Sequence, residues 1–388
     1  MDQTYYETLC AITLNRVMGY SPAAARRLIS LFGTPGAIFK QSPSTLDEAF
    51  GPFSKWRSSI CEQELELSQA EFEPLQAQGC TFVYTGSPGY PPLLEECPDA
   101  PVGLYVRSCT PPEELFKEQR TVSVVGTRDI SPYGKEWTEK TVVALANTAA
   151  KPMIVSGLAI GVDITAHITA LQNGLPTVAV IPVGIDSVYP RRHVPVAERI
   201  ASTPGCALVT DFPPGTGPVA FNFLRRNRII AGLSHATILT ESKAKGGGTM
   251  TARLAAGYGR EVFALPGRID DIRSAGCNRL IMEKIAEPLT DLGELASQLR
   301  LGSVNLRKGP ALEESIRSCY SNAAPETVER LVAIAQTIRA NRGIAPDGIC
   351  SELGLDFGTV SAAVCLLESD GYISTDLLQH CTINHKKY

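Results

Sequence analysis

The sequence predicts an α/β fold, an extended Rossmann-like, doubly wound and mostly parallel sheet with a helical domain before it and a winged-helix-like domain after it. Three observations carry this. Six short apolar or β-branched runs, at 121–125, 153–155, 177–181, 207–210, 236–239 and 262–265, alternate with helix-length segments, the pattern of βαβ units. The carboxyl ends of these runs carry Gly, Ser, Thr or Arg, as at Gly126-Thr127-Arg128 and Ser156-Gly157. The flanking segments change from strand-like runs to helical spacing.

Taken in order, residues 1–78 read as helices. Ala11, Leu14, Val17 and Met18 share one helical face, Gly19-Tyr20-Ser21-Pro22 interrupts it, and Ser21 before Pro22 starts a second helix that Gly33 ends. The pair is compatible with a helix-hairpin-helix unit, whose turn offers N–H groups to a phosphate, or with a small helical cap or partner-binding module. Residues 79–119 are rich in turn formers and read as a connector with short strands. The sheet occupies 120–300, with helices expected over about 133–149 and 162–172. A linker is expected over 301–324. In 325–388, helical patterns at 327–340, 347–353 and 359–370 precede an extended tail, the order of a winged helix. Residues 326–388 hold 5 Lys+Arg against 8 Asp+Glu, which favours protein contact over duplex binding there, because DNA affinity rests on neutralising phosphates.

With 388 residues, 44% hydrophobic and 20% charged, the chain is expected to fold into several compact domains. Its apolar runs fall short of the roughly 18 residues of a membrane span, and its start lacks signal-peptide order, so a cytoplasmic protein with no membrane partner is expected. The 11 cysteines form no C-x-x-C pair, so neither a disulfide framework nor a zinc site is signalled. The net charge of −4 hides an asymmetry: 191–268 carries 11 Lys+Arg against 4 Asp+Glu, leaving 25 against 36 elsewhere. Within that basic stretch, FNFLRRNRIIAGLS leads into a strand, and the strand into the glycine-rich turn ESKAKGGGTMTA. A turn of that kind opening a helix presents backbone N–H groups to anions.

Chemistry is harder to place. The sequence has no G-x-G-x-x-G after the first strand and no G-x-x-x-x-G-K-[ST], so dinucleotide and P-loop readings lose support. Ser156 lacks the G-x-S-x-G elbow of a nucleophile, and no histidine has triad-like or metal-like company; no catalytic residue, metal or cofactor is expected. His167, four residues after Asp163, reads as a packing or capping partner for it. Binding groups stand out more clearly. Arg128 follows a glycine turn at a strand end, where a guanidinium can fork onto a phosphate. Arg226, Asn227 and Arg228 form a polar triplet in which one arginine can instead pair with a carboxylate such as Asp211. Phe221 and Phe223 beside them are either core rings or stacking surfaces for bases.

SVVGTRDISPYG, IVSGLAIGVDITAHITAL, VAVIPVGIDSVYP, FNFLRRNRIIAGLS, ESKAKGGGTMTARLAAGYGREVFALPG and SAGCNRLI, in this order, resemble the DNA-processing protein A (DprA or Smf) family. The resemblance is close over about 122–285 and implies a bacterial cytoplasmic homodimer without enzymatic activity. Such a protein binds and protects single-stranded DNA and helps load the RecA recombinase in natural transformation. The implied DNA site takes in Gly126, Thr127 and Arg128, Ser156 and Gly157, Phe223 with Arg226, Asn227 and Arg228, and Gly247, Gly248 and Thr249 of the glycine turn. The chain departs from the family pattern at Ile160, where a basic residue is usual, at His193 and at Leu224. Arg191, Arg192, Lys243 and Lys245 are expected to compensate for the missing cation at Ile160. The glycine turn also loosely resembles that of nucleotide phosphoribohydrolases, a rival reading in which a small nucleotide is the ligand and Glu241 or Arg128 is catalytic. A structural adaptor acting through its terminal domains is a third.

Overall fold

The computed structural model describes residues 2–51, 54, 56–117, 120–304, 312–341, 343–376 and 379–383. Two compact units are present, 1–305 and 306–388. The first is built on nine strands: β1 (Cys80–Tyr84), β2 (Gly103–Arg107), β3 (Thr121–Gly126), β4 (Met153–Ser156), β5 (Thr177–Val180), β6 (Ala207–Thr210), β7 (Ala236–Glu241), β8 (Glu261–Ala264) and β9 (Glu287–Pro288). They lie in the order β1-β2-β6-β5-β4-β3-β7-β8-β9. All neighbours from β6 to β9 are parallel, whereas β1 and β2 join antiparallel at one edge.

The six expected parallel strands are β3 to β8. They read as continuous apolar runs because both faces are covered: Val125 and Val155 face one core, Val122, Val124 and Ile154 another. The two residues of β9 are too few to show a period. Between the strands run the helices Pro132–Ala146, Val162–Gln172, Ala220–Gly232 and Gly247–Gly257. The first ends three residues before the expected 149. Its start is fixed by Ser131, whose hydroxyl accepts the Gly134 N–H at 3.0 Å, with Pro132 at the first position.

Of the N-terminal helices Gln3–Met18 and Pro22–Phe32, the second is closed by Gly33, at φ 90° with its N–H on the Ile29 carbonyl. Leu9, Ala11 and Ile12 pack with Phe82, Tyr105 and Leu208 of the sheet. Helices, connector and sheet therefore share cores. A second tie is electrostatic. Asp211, just past β6 and fully buried, accepts from Arg225 at 3.0 Å and Arg228 at 2.6 Å through one oxygen. Both arginines lie on the helix Ala220–Gly232, here the arginine helix. Arg225 also donates to the Gly19 carbonyl, Arg228 to the Asp99 carbonyl, and Asn15 donates to the Asp211 carbonyl at 2.8 Å.

In the second unit the helices Leu312–Cys319, Pro325–Ala340, Pro346–Leu353 and Phe357–Ser369 surround Leu331, Ile334, Ile338, Ile349 and Leu367. An antiparallel hairpin follows, β10 (Ile373–Thr375) with β11 (Cys381–Ile383), in the element order of a winged helix. The helix Leu312–Cys319 falls inside the stretch expected as linker, because Leu312 and Ile316 reach the core of this unit; residues 305–311 of that stretch lie outside the described residues.

Removing one partner of a buried ion pair strands the other's charge, at a cost of about 3–5 kcal/mol. Asp211→Ala is therefore expected to lower unfolding stability by about that amount in urea titrations; an unchanged midpoint would contradict the anchoring role.

Candidate nucleic-acid interface

In an open parallel sheet the ligand crevice forms where strand order reverses. Here that point is β3, whose successor β4 lies on one side and β7 on the other. The loops leaving β3 and β7, with the first turn of the arginine helix, enclose a cleft of about 710 Å³. Close backbone approach makes this possible. A Cβ on Gly248 would lie 2.9 Å from Gly126 Cα, and one on Gly126 would lie 2.6 Å from the Glu241 carbonyl oxygen. Glycine at both positions lets the helix Gly247–Gly257 start directly above β3, and the first turn of a helix leaves backbone N–H groups for an anion.

Arg128 is exposed, and its guanidinium lies over the Phe223 ring, 4.6 Å from the centroid. Among the described residues it makes no ion pair. Phe223 is half-buried and meets Tyr189 edge-on at 5.6 Å. Lys243 and Lys245 are exposed on the opposite loop, and both line the cleft. Asp129, at the rim, is turned toward Arg273 at 3.4 Å.

Behind this surface lies a buried polar layer. Arg226 donates to the Gly157 carbonyl at 2.8 Å and to Asn227 Oδ1 at 3.1 Å, with Asp163 at 3.9 Å. Burial works against both charges: it pushes the Arg226 guanidinium down to about 10 and the Asp163 carboxyl up, while each partly restores the other. Asn227 faces the glycine turn, its amide 3.5 Å from the Gly247 carbonyl. Gly157 must be glycine here, since a Cβ would lie 1.8 Å from Arg226 Nη1.

The structure brings Gly126, Thr127, Arg128, Phe223, Arg226, Asn227, Lys243, Lys245, Gly247 and Gly248 together around one cleft. Other expected contacts lie elsewhere. Ser156 is fully buried and donates to the Val124 carbonyl at 2.7 Å. Thr249 is buried against Ser242 and the Lys243 carbonyl, bracing the glycine turn. Arg228 is committed to Asp211, so its charge serves the fold. Arg191 and Arg192 are exposed in the turn Arg191–His193 but do not line the cleft. Tyr189, two residues earlier, does, and sequence reasoning misses it. An aromatic before proline in a loop after a strand is the signal that could have found it. Leu224, one of the departures from the family pattern, is 45% exposed and lines the cleft beside Phe223.

Of the two residues of the rival hydrolytic reading, Arg128 lines the cleft and Glu241 is occupied. Glu241 is buried, and its two oxygens accept from the Ser131 N–H at 2.8 Å and hydroxyl at 2.6 Å. It holds the start of a helix and does not line the cleft. His167 bonds Thr177 at 2.8 Å in place of the expected Asp163 partner. His193 Nδ1 lies 2.8 Å from the Leu158 carbonyl. Among the described residues no group of His, Cys, Asp and Glu is arranged to hold a metal.

The model of the family described as DNA recombination-mediator protein A matches residues 81–300, a region that contains the whole cleft. The Smf protein of Synechocystis is 31% identical over 97% of this chain and 97% of its own length. The chain belongs to the DprA/Smf family of DNA-processing proteins. The Streptococcus pneumoniae DprA is 41% identical over 50% of this chain and 66% of that one. Its crystal structure superposes at a TM-score of 0.60 and 29% identity, covering 76% of this chain and 96% of that one. Helicobacter pylori DprA, whose structure was solved to describe its single-stranded DNA binding mode, superposes at 0.50 and 28% identity, covering 57% of this chain and 95% of that one.

Burial and Arg226 push the His167 imidazole down to about 3. The folded chain keeps it neutral, whereas the unfolded chain protonates it below about 6.5. This contribution to stability is complete above that pH and is lost on acidification toward 3, at about 1.4 kcal/mol per pH unit. His167→Gln is expected to flatten stability against pH by about one proton between roughly pH 6 and 4, measured by urea unfolding; parallel profiles would contradict the assignment.

Proposed function

We propose that this DprA-family protein binds single-stranded DNA across the cleft, shields it, and helps load the RecA recombinase onto it during natural transformation and recombination. The observation that carries this reading is Arg128: an exposed guanidinium without a carboxylate partner among the described residues, held over an aromatic ring and facing two exposed lysines and a helix N-terminus. Phosphates suit the cations and the helix amides, and bases suit the rings, the combination that binds strands without sequence preference. The cations stand on two separate loops, after β3 and after β7, which favours a polynucleotide over a mononucleotide. Family membership and the single-stranded DNA binding of the Helicobacter relative support the same reading.

In this proposal the protein works in the cytoplasm as a homodimer and catalyses no reaction of its own. The second unit serves protein contact, since its helix FGTVSAAVCLLES carries no basic residue with which to approach DNA phosphates. Arg128 and the two lysines supply the phosphate contacts. Arg228 supplies stability, so its removal acts through folding.

Each phosphate neutralised contributes about 0.7 to the slope of log affinity against log salt for a single strand. Arg128→Ala is expected to weaken binding to oligothymidylate and to reduce that slope by about 0.7, read by fluorescence anisotropy across a salt series. Lys243→Ala and Lys245→Ala are expected to act in the same direction. A wild-type slope in all three would sink the assignment. Affinity rising with oligonucleotide length supports strand binding, whereas saturation by a mononucleotide with release of free base would establish the hydrolase instead.

A further inference from the structure

Outside the cleft, two aromatic rings stand in solvent. Tyr20, in the turn between the first two helices, is 65% exposed, and Phe221, in the first turn of the arginine helix, is 58% exposed. Their centroids are 6.2 Å apart and their planes 27° from parallel, within the range of mutually supporting rings. Tyr20 is held from one face by Arg225, whose guanidinium lies 4.3 Å from the ring centroid. Arg225 is itself fixed by Asp211 at 3.0 Å and by the Gly19 carbonyl. A mobile surface tyrosine would lose freedom on stacking with a ligand; this one is already placed.

The pair adjoins the cleft along the arginine helix. Leu224, on the same helical face as Phe221, is 45% exposed and lines the cleft, as do Ala220 and Phe223. The hairpin that carries Tyr20 has its Gly19 carbonyl committed to Arg225, so what this turn offers a nucleic acid is a ring.

We propose that Tyr20 and Phe221 form a stacking platform that carries a bound single strand out of the cleft and onto the N-terminal helices, with bases lying on the two rings. This rests on the strand-binding reading of the cleft and extends it to a second contact surface. The ligand class is a single-stranded polynucleotide long enough to leave the cleft, bound without base preference. A duplex keeps its bases paired and cannot use the platform.

The test compares two labelled oligothymidylates by fluorescence anisotropy, one just long enough to saturate the cleft and one twice that length. The Tyr20→Ala, Phe221→Leu double variant is expected to bind the short strand as the wild type does and the long strand about tenfold more weakly. Unchanged short-strand affinity also shows that the variant is folded. Phe221→Trp is expected to retain long-strand affinity, which separates ring stacking from generic apolar contact. Equal affinities of wild type and double variant for the long strand overturn the platform and leave the cleft reading intact. Failure of the wild type to bind either strand overturns both. A change in oligomeric mass in the double variant would identify the rings as a contact between copies, and also overturns the platform.

Discussion

One buried carboxylate organises the binding face. Asp211 lies at the end of β6, away from the reversal point of the sheet, yet it holds Arg225 and Arg228 on the arginine helix. Positions 225 and 228 share a helical face, and positions 223, 226 and 227 share another. Pinning the first face toward Asp211 turns the second toward the cleft. Phe223 then meets Arg128, and Arg226 fills the space beside Gly157. The same carboxylate, through Arg225 and the Gly19 carbonyl, brings the N-terminal hairpin against the arginine helix. A charge with no contact to the cleft thus fixes the rotation of the element that forms its wall.

The electrostatic pattern follows from this division of labour. Of the 11 basic residues between 191 and 268, Arg225, Arg226, Arg228, Arg253, Arg260 and Arg268 are each engaged by a carboxylate. Lys243 and Lys245 line the cleft, joined by Arg128 from outside that stretch. Basic density along the chain therefore pointed to a stretch that supplies part of the cleft lining and overstated its free charge. Exposed cations act on a ligand through solvent and are screened by salt, whereas the buried arginines act at short range on protein partners. In this chain the two populations are interleaved at neighbouring positions.

The glycines at the cleft answer a different constraint, distance. Gly126 and Gly248 let the backbone of β3 meet the start of a helix, and Gly157 yields its side-chain volume to Arg226. Where relatives of this family carry a basic residue, the resemblance leads one to expect a cation at position 160; this chain carries Ile160, 37% exposed. The exposed cations at the cleft stand on the loops after β3 and β7, and Leu224 and Tyr189 line it beside them.

Hydrophobic period and turn chemistry determined the layered architecture by themselves. The six parallel strands, the helices expected over about 133–149 and 162–172 and after the glycine turn, the Ser21-Pro22 and Gly33 boundaries and the three helices expected in the second unit follow from local sequence, because strand runs buried on both faces and capped helices leave marks a few residues long. The motif order likewise fixed the family and the cleft-forming turns. Tertiary structure alone decided that Arg226 and Arg228 both serve as struts, because Arg226 meets Asp163 and the Gly157 carbonyl and Arg228 meets Asp211, whereas Arg128 makes no ion pair among the described residues. It also decided that Ser156 and Thr249 are buried, that Tyr189 reaches the cleft, and that residues 312–319 fold as a helix. Each of these depends on partners far away in the chain, and a burial that distant residues impose has no local signature to read.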